Sequence, residues 1–225
     1  MTHLEEELQK LKIEMTEMAE LATSQIEKSL TSLMEGDMDL AQEVIFNEKR
    51  VNAYELSIDK ECENILALLN PFATDMRFVF ATLKINSNFE RIGDSAEGIA
   101  QYLVMAGEGF DKKLIEVTRF TEMAETVNSM LQSISKAYAT GDTKLARTIF
   151  NQDNILDDIN KKATDVIVNY IKGKSVNVHQ ALYLLTIIRK LERVGDHVTN
   201  IAEEIIFHME AKVLKHVKKA KKLES

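Results

Sequence analysis

Tryptophan is absent from the 225 residues, proline and cysteine occur once each, and glycine only eight times. So few chain-breaking residues exclude a sheet protein with many tight turns and favour long helices. The lone thiol, Cys62, excludes an intramolecular disulfide framework and fits a reducing compartment. No apolar run approaches the roughly 20 residues needed to cross a bilayer. The longest candidate, ALYLLTII at 181–188, is too short. The amino terminus, MTHLEEELQK, lacks the basic-then-apolar plan of a signal peptide. A formal net charge of −8 argues against general nucleic-acid binding. The expectation is a soluble, cytoplasmic chain with enough length for one large or two small cores.

What is present is helical periodicity. Leu4, Leu8, Leu11, Met15, Met18 and Ala22 step 4-3-4-3-4, and Ile26, Leu30 and Leu33 extend the stripe. Gly36-Asp37 ends this first helix, expected over about 4–35, and offers Asp37 as the next cap. A second helix is expected from Met38 to about Leu69, stopped by Asn70-Pro71. A third follows, capped by Thr74 or Asp75, with Ile85, Phe89, Ile92, Ala96, Ile99 and Leu103 facing inward. The plan then recurs. A fourth helix is expected from Lys112 to Thr140, a fifth to about Tyr170, and a sixth after Asn177 with Leu184, Ile187, Leu191, Val194, Val198, Ile201 and Ile205 inward. Six helices of roughly 30 residues, each about 45 Å long, predict an all-α protein of two duplicated antiparallel three-helix bundles. The expected units are 1–107, 108–211 and a tail, 212–225, whose six lysines and one glutamate give it +5. That tail reads as a solvated helix end, or as a contact for anionic lipid or an acidic partner.

The duplication is explicit in ERIGDSAEGIAQ at 90–101 and ERVGDHVTNIAEE at 192–204. Glu90 and Glu192, Arg91 and Arg193, Gly93 and Gly195, and Asp94 and Asp196 all lie 102 apart (192 − 90). Each Glu-xxx-Asp pair shares one helix face, and like charges at that spacing destabilise a helix. A mid-helix glycine costs about 1 kcal/mol more. Such a glycine lets a neighbouring helix, a metal ion or a ligand approach the backbone. The second helix of each half adds candidates at an offset of 105: Glu48 matches Asp153, and Asn52 matches Asp157. Four carboxylates from adjacent helices suit a hard cation such as Mg²⁺, Mn²⁺, iron or Ca²⁺. The bland reading is a solvated acidic face paired with Arg91 and Arg193.

The two motifs, together with PFATDMR at 71–77, resemble the PhoU family of bacterial regulators of phosphate uptake. The resemblance covers all but the basic tail. It implies two three-helix bundles, a regulator rather than an enzyme, and a homodimer working at the inner membrane face without spanning it. It implies two partners, the ATPase of the phosphate ABC transporter and a phosphate-sensing histidine kinase. It also implies metal ligation by Asp153, Asp157, Glu192 and Asp196 in the second repeat and by Glu48, Asn52, Glu90 and Asp94 in the first. The expected cofactor is a divalent or iron-type ion, with Fe, Mn, Mg and Zn undistinguished. His197, Asn200, Glu203, Arg91 and Arg193 are expected to support the ligands. The first motif departs from the family pattern at Ser95, Gly98 and Gln101, and Asn52 replaces an acid. The second repeat is therefore expected to bind metal better.

Other classes fit less well. A ferritin-like di-iron oxidase needs Glu-x-x-His, and none of the five histidines has a glutamate three residues before it. Gly173-Lys174-Ser175 resembles the end of a phosphate-binding loop but has Val168 where the first glycine belongs. A metal-free helical scaffold and an accessory protein for a low-affinity phosphate transporter are the remaining alternatives.

Overall fold

The computed structural model describes residues 2–172 and 177–211, and every element among them is helical. The helices are α1 (His3–Glu35), α2 (Met38–Leu68), α3 (Ala73–Ala106), α4 (Lys112–Val117), α5 (Phe120–Thr140), α6 (Thr143–Lys172) and α7 (Val178–Glu210). Gly173-Lys174-Ser175 and the basic tail lie outside the described residues. No helix among those described is long and apolar enough to cross a membrane.

Local chemistry sets most boundaries. Thr2 and Glu5 form a reciprocal capping box at the start of α1. Gly36 and Gly141 adopt left-handed φ values of 71° and 68° and end α1 and α5. Asp37 then accepts from the Leu40 amide, and Asp142 from the Leu145 amide, to start α2 and α6. Two boundaries differ from expectation. The third helix begins at Ala73 with Phe72 in the cap position and no side-chain cap, so neither Thr74 nor Asp75 serves. The expected fourth helix is two helices, because the chain turns at Arg119, whose φ is 57°. Arg119 is held there by Glu122 at 2.7 Å and Asp158 at 2.9 Å, while the Thr118 hydroxyl donates to the Leu114 carbonyl. The Asp158 contact belongs to α6, so tertiary structure selects the break.

The apolar stripes face inward. From Leu11 onward the α1 stripe is buried, with Leu4 and Leu8 packed at its edge. The six α3 positions and seven α7 positions are likewise buried. Helices α1, α2 and α3 pack together as one bundle; α5, α6 and α7 form the second, with α4 against α5 and α6. The bundles join chiefly through α3 on α7, with α1 on α5 beside them. Contacts descend α7 as they ascend α3: Lys84 meets Glu204, Asn88 meets His197, and Tyr102 meets Tyr183. The two helices are antiparallel.

Gly93 and Gly195 have a packing role. A Cβ on Gly93 would lie 2.8 Å from Val51 Cγ1, and one on Gly195 would lie 2.5 Å from Leu156 Cδ1. Each glycine therefore brings the second and third helices of its bundle closer than any side chain allows. Val51 is β-branched and stiff, so overpacking by about 1–3 kcal/mol outweighs the roughly 1 kcal/mol of helix propensity that alanine adds. Gly93→Ala is expected to lower the urea midpoint, whereas in a Val51→Ala background the same change is expected to raise it. Equal effects in both backgrounds would remove the packing account.

Candidate acidic site

In the second repeat α6 carries Asp153 and Asp157, and α7 carries Glu192 and Asp196. Asp153 is buried at 4% exposure, and its Oδ1 would lie 3.1 Å from a Cβ on Gly195. The glycine thus makes room for a carboxylate as well as for Leu156. Glu192 is half-buried, and burial raises its pKa above the ordinary glutamate value. Asp196, Asp157 and Asp153 push it further the same way, while a hydrogen bond with Asn160 opposes them. The four carboxylates predicted from the repeat therefore share one neighbourhood.

The first repeat builds the same arrangement on α2 and α3. Burial raises the pKa of Glu48, assisted by Glu97 and Asp94, against a hydrogen bond with Asn52. Burial also raises that of Glu90, followed by Asp94, against Arg91, with Glu55 adding to the rise. Glu55 and Glu97 were not anticipated. They continue the spacing of Glu48-Asn52 and Glu90-Asp94 by one further turn, which is the signal that identifies them. They add anionic oxygen to a face that has Asn52 in place of an acid.

Chemically, each face offers oxygen donors and a local excess of negative charge, which fits a hard cation. Among the described residues, no three His, Cys, Asp or Glu side chains stand close enough to hold an ion as placed. The faces are open rather than closed cages.

Three of the five residues expected to support the ligands, His197, Asn200 and Glu203, lie away from them. His197 Nδ1 is 2.9 Å from Asn88 Oδ1, across the junction between the bundles. Burial lowers its pKa, and Arg91 and Arg193 lower it further. The Asn200 amide donates to the same Asn88 oxygen at 3.4 Å. Glu203 lines an adjoining cleft of about 310 Å³ with Lys84 and Ser87. Arg91 stays beside the acids, 3.5 Å from Glu90. His197 and Asn200 thus join the bundles to each other.

One departure of the first motif, Gly98, lies at that junction. Shifting the Asn88–Asn200 contact by 102 gives Lys190 against Gly98. A Cβ on Gly98 would lie 2.6 Å from Lys190 Nζ. The first repeat carries glycine under the Lys190 side chain where the second carries asparagine against Asn88.

Glu192 holds its proton more tightly when folded, so folding stability falls as pH rises through the raised value. Glu192→Gln keeps the shape without the charge. It is expected to stabilise the metal-free protein at pH 7, with the gain fading as pH falls below about 4, where the unfolded glutamate also protonates. Urea midpoints at both pH values measure this, and a gain that persists unchanged at low pH would reject the electrostatic cause.

The PhoU domain family matches residues 15–103 and 120–205. A phosphate-specific transport system accessory protein PhoU homolog from Borreliella burgdorferi is 33% identical over 91% of this chain and 93% of its own length. The homolog of the same name from Caulobacter vibrioides is 31% identical over 91% and 88%. The crystal structure of PhoU from Pseudomonas aeruginosa superposes with a TM-score of 0.88 at 29% identity, covering 93% of this chain and all of that one. A structure from Streptococcus pneumoniae, at 24% identity and a TM-score of 0.83, shares the fold. Two matched domains, each carrying its Glu-Arg-x-Gly-Asp motif against a glycine-tightened helix seam, place the chain in the PhoU family.

Proposed function

We propose that this chain is the accessory regulator of a phosphate transport system. In this reading it holds the phosphate-starvation response off while phosphate is plentiful, by binding the ATPase of the phosphate ABC transporter and the phosphate-sensing histidine kinase. The observation that carries it is the match to relatives named as phosphate-specific transport system accessory proteins across about nine-tenths of their length. Exposed Phe46, Leu56, Leu68 and Phe72 add apolar contact area for a partner or for a second copy in a homodimer.

The acidic faces supply the second part of the proposal. Asp153, Asp157, Glu192 and Asp196 would hold a hard divalent or iron-type ion on α6 and α7. Glu48, Glu55, Glu90, Asp94 and Glu97 would do the same on α2 and α3. Such an ion would neutralise the repulsion that adds to burial in raising Glu192, Glu90 and Glu48. By tying the second helix of each bundle to the third, it would fix the surface that partners meet.

Two measurements test these parts separately. Cells lacking the protein should show high alkaline phosphatase activity in phosphate-rich medium, silenced by the wild type. Glu192→Ala/Asp196→Ala should fail to silence. Silencing by both forms would keep the regulator and remove the acidic site, whereas low activity in the deletion would remove the regulator. In solution, Mn²⁺ added to chelator-treated protein should stabilise the wild type by about 2.7 kcal/mol at a hundredfold excess over its dissociation constant. The stabilisation should shrink in Asp153→Asn/Glu192→Gln, and an unchanged shift would locate the ion elsewhere.

A further inference from the structure

The junction between the bundles has two ends, related by the duplication. α3 finishes at one of them and α7 at the other, and each helix stops on a left-handed residue, Gly107 at φ 70° and Ala211 at φ 55°. Beyond Gly107 the chain folds over its end of the junction and closes it. Phe110, the third residue past the turn, is buried. Gln180, in the first turn of α7, bonds to Glu108, to the Gly109 carbonyl and to the Asp111 amide.

Among the described residues the other end stays open. There α1, α3, α5 and α7 surround a cleft of about 360 Å³. Phe78 stands 102 residues before Gln180, at the equivalent place, and lines the cleft half-buried with Leu8, Ile205 and Met209. The His208 ring lies 5.3 Å from that of Phe78. The charge of the lining is negative. Glu5 and Asp75 outnumber Lys12, while burial, Arg77 and Lys12 hold His208 toward its neutral form. An occupant with apolar side chains and positive charge suits such walls.

The chain carries one of that kind at this place. Residues 212–225 hold six lysines against one glutamate, interspersed with Val213, Leu214, Val217 and Leu223, in a chain whose net charge is −8. They follow directly on Ala211, two residues past the cleft-lining Met209. Leu214 is the third residue past its turn, as Phe110 is past Gly107. Three residues span at most about 10 Å, so Leu214 stays close to the mouth of the cleft. The turn itself has no local cause. Alanine rarely adopts the left-handed region, and Lys212-Val213-Leu214-Lys215 contains no glycine or proline to stop a helix.

We propose that the basic end of the chain closes this cleft in cis, with Leu214 seated on Phe78, Ile205 and Met209 and with Lys212 and Lys215 set against Asp75 and Glu5. Each end of the junction is then covered by the segment that leaves its helix. The contact is separate from the acidic faces and independent of any metal they take.

The full chain has no tryptophan, so Leu214→Trp places a single indole at the seat and Lys222→Trp a single indole near the chain end. Without lipid, Leu214→Trp should emit to the blue of Lys222→Trp and be quenched several-fold less by acrylamide, equally in dilute and concentrated protein. Thr74→Arg, an exposed change on the rim of the cleft, should return the indole at 214 toward the behaviour of the one at 222. Lys212→Glu/Lys215→Glu should do the same. In the chain without tryptophan, Leu214→Ala should lower the folding equilibrium constant about tenfold or more, the loss of a buried leucine side chain. Equal quenching at the two positions, no response to Thr74→Arg or the lysine changes, or unchanged stability in Leu214→Ala would each overturn the proposal. So would shielding that is lost on dilution, which marks a second copy as the occupant. Shielding that arises only with phosphatidylglycerol vesicles would overturn it in favour of a membrane contact.

Discussion

The antiparallel packing of α3 on α7 is the contact on which the rest of the molecule depends. Each of these helices presents an apolar stripe to its own bundle and polar side chains to its counterpart. The junction is consequently mixed: Lys84 with Glu204, Asn88 with His197 and Asn200, and Tyr102 with Tyr183. Glu204 is 6% exposed in that pair, so its charge needs Lys84 beside it. His197 is held toward its neutral form by burial and by two arginines, which suits an imidazole bonded to an amide oxygen.

Around that axis, the two glycines explain how a structural requirement and a chemical one came to share a motif. Close approach at Gly93 and Gly195 draws α2 onto α3 and α6 onto α7. The same approach brings carboxylates on the two helices of each seam within reach of one another. Burial there raises the pKa of Glu48, Glu90 and Glu192, and like charges at that separation add to the rise. Val51 or Leu156 fills the space a side chain would take, and the acids lie beside it, from the buried Asp153 to the exposed Asp196.

Much of this was legible in the sequence. The 4-3-4 stripes, the Gly-Asp stops and the 102-residue offset depend on local periodicity and capping, which a linear chain displays directly. Arg119 was not legible, because KLIEVTRFTEM contains no glycine or proline and the turn is anchored by Asp158 from α6. Phe72 as a cap position was hidden by the better local credentials of Thr74 and Asp75. Asp153, Asp157, Glu192 and Asp196 were legible because duplication marks them. His197 was misplaced because it follows Asp196 in sequence, yet one residue along a helix is a rotation of about 100°. That rotation carries it from the acidic face to the junction.

The Gly98–Lys190 and Asn200–Asn88 contacts occupy equivalent places on the two sides of a pseudo-twofold axis but differ in residue type. In a true homodimer any substitution at such a place appears on both sides at once and must suit both. Covalent fusion of the two halves lifts that constraint. One side carries a bare backbone under a lysine while the other carries an amide pair. Each half is thereby free to diverge from the other at the very place where the two meet.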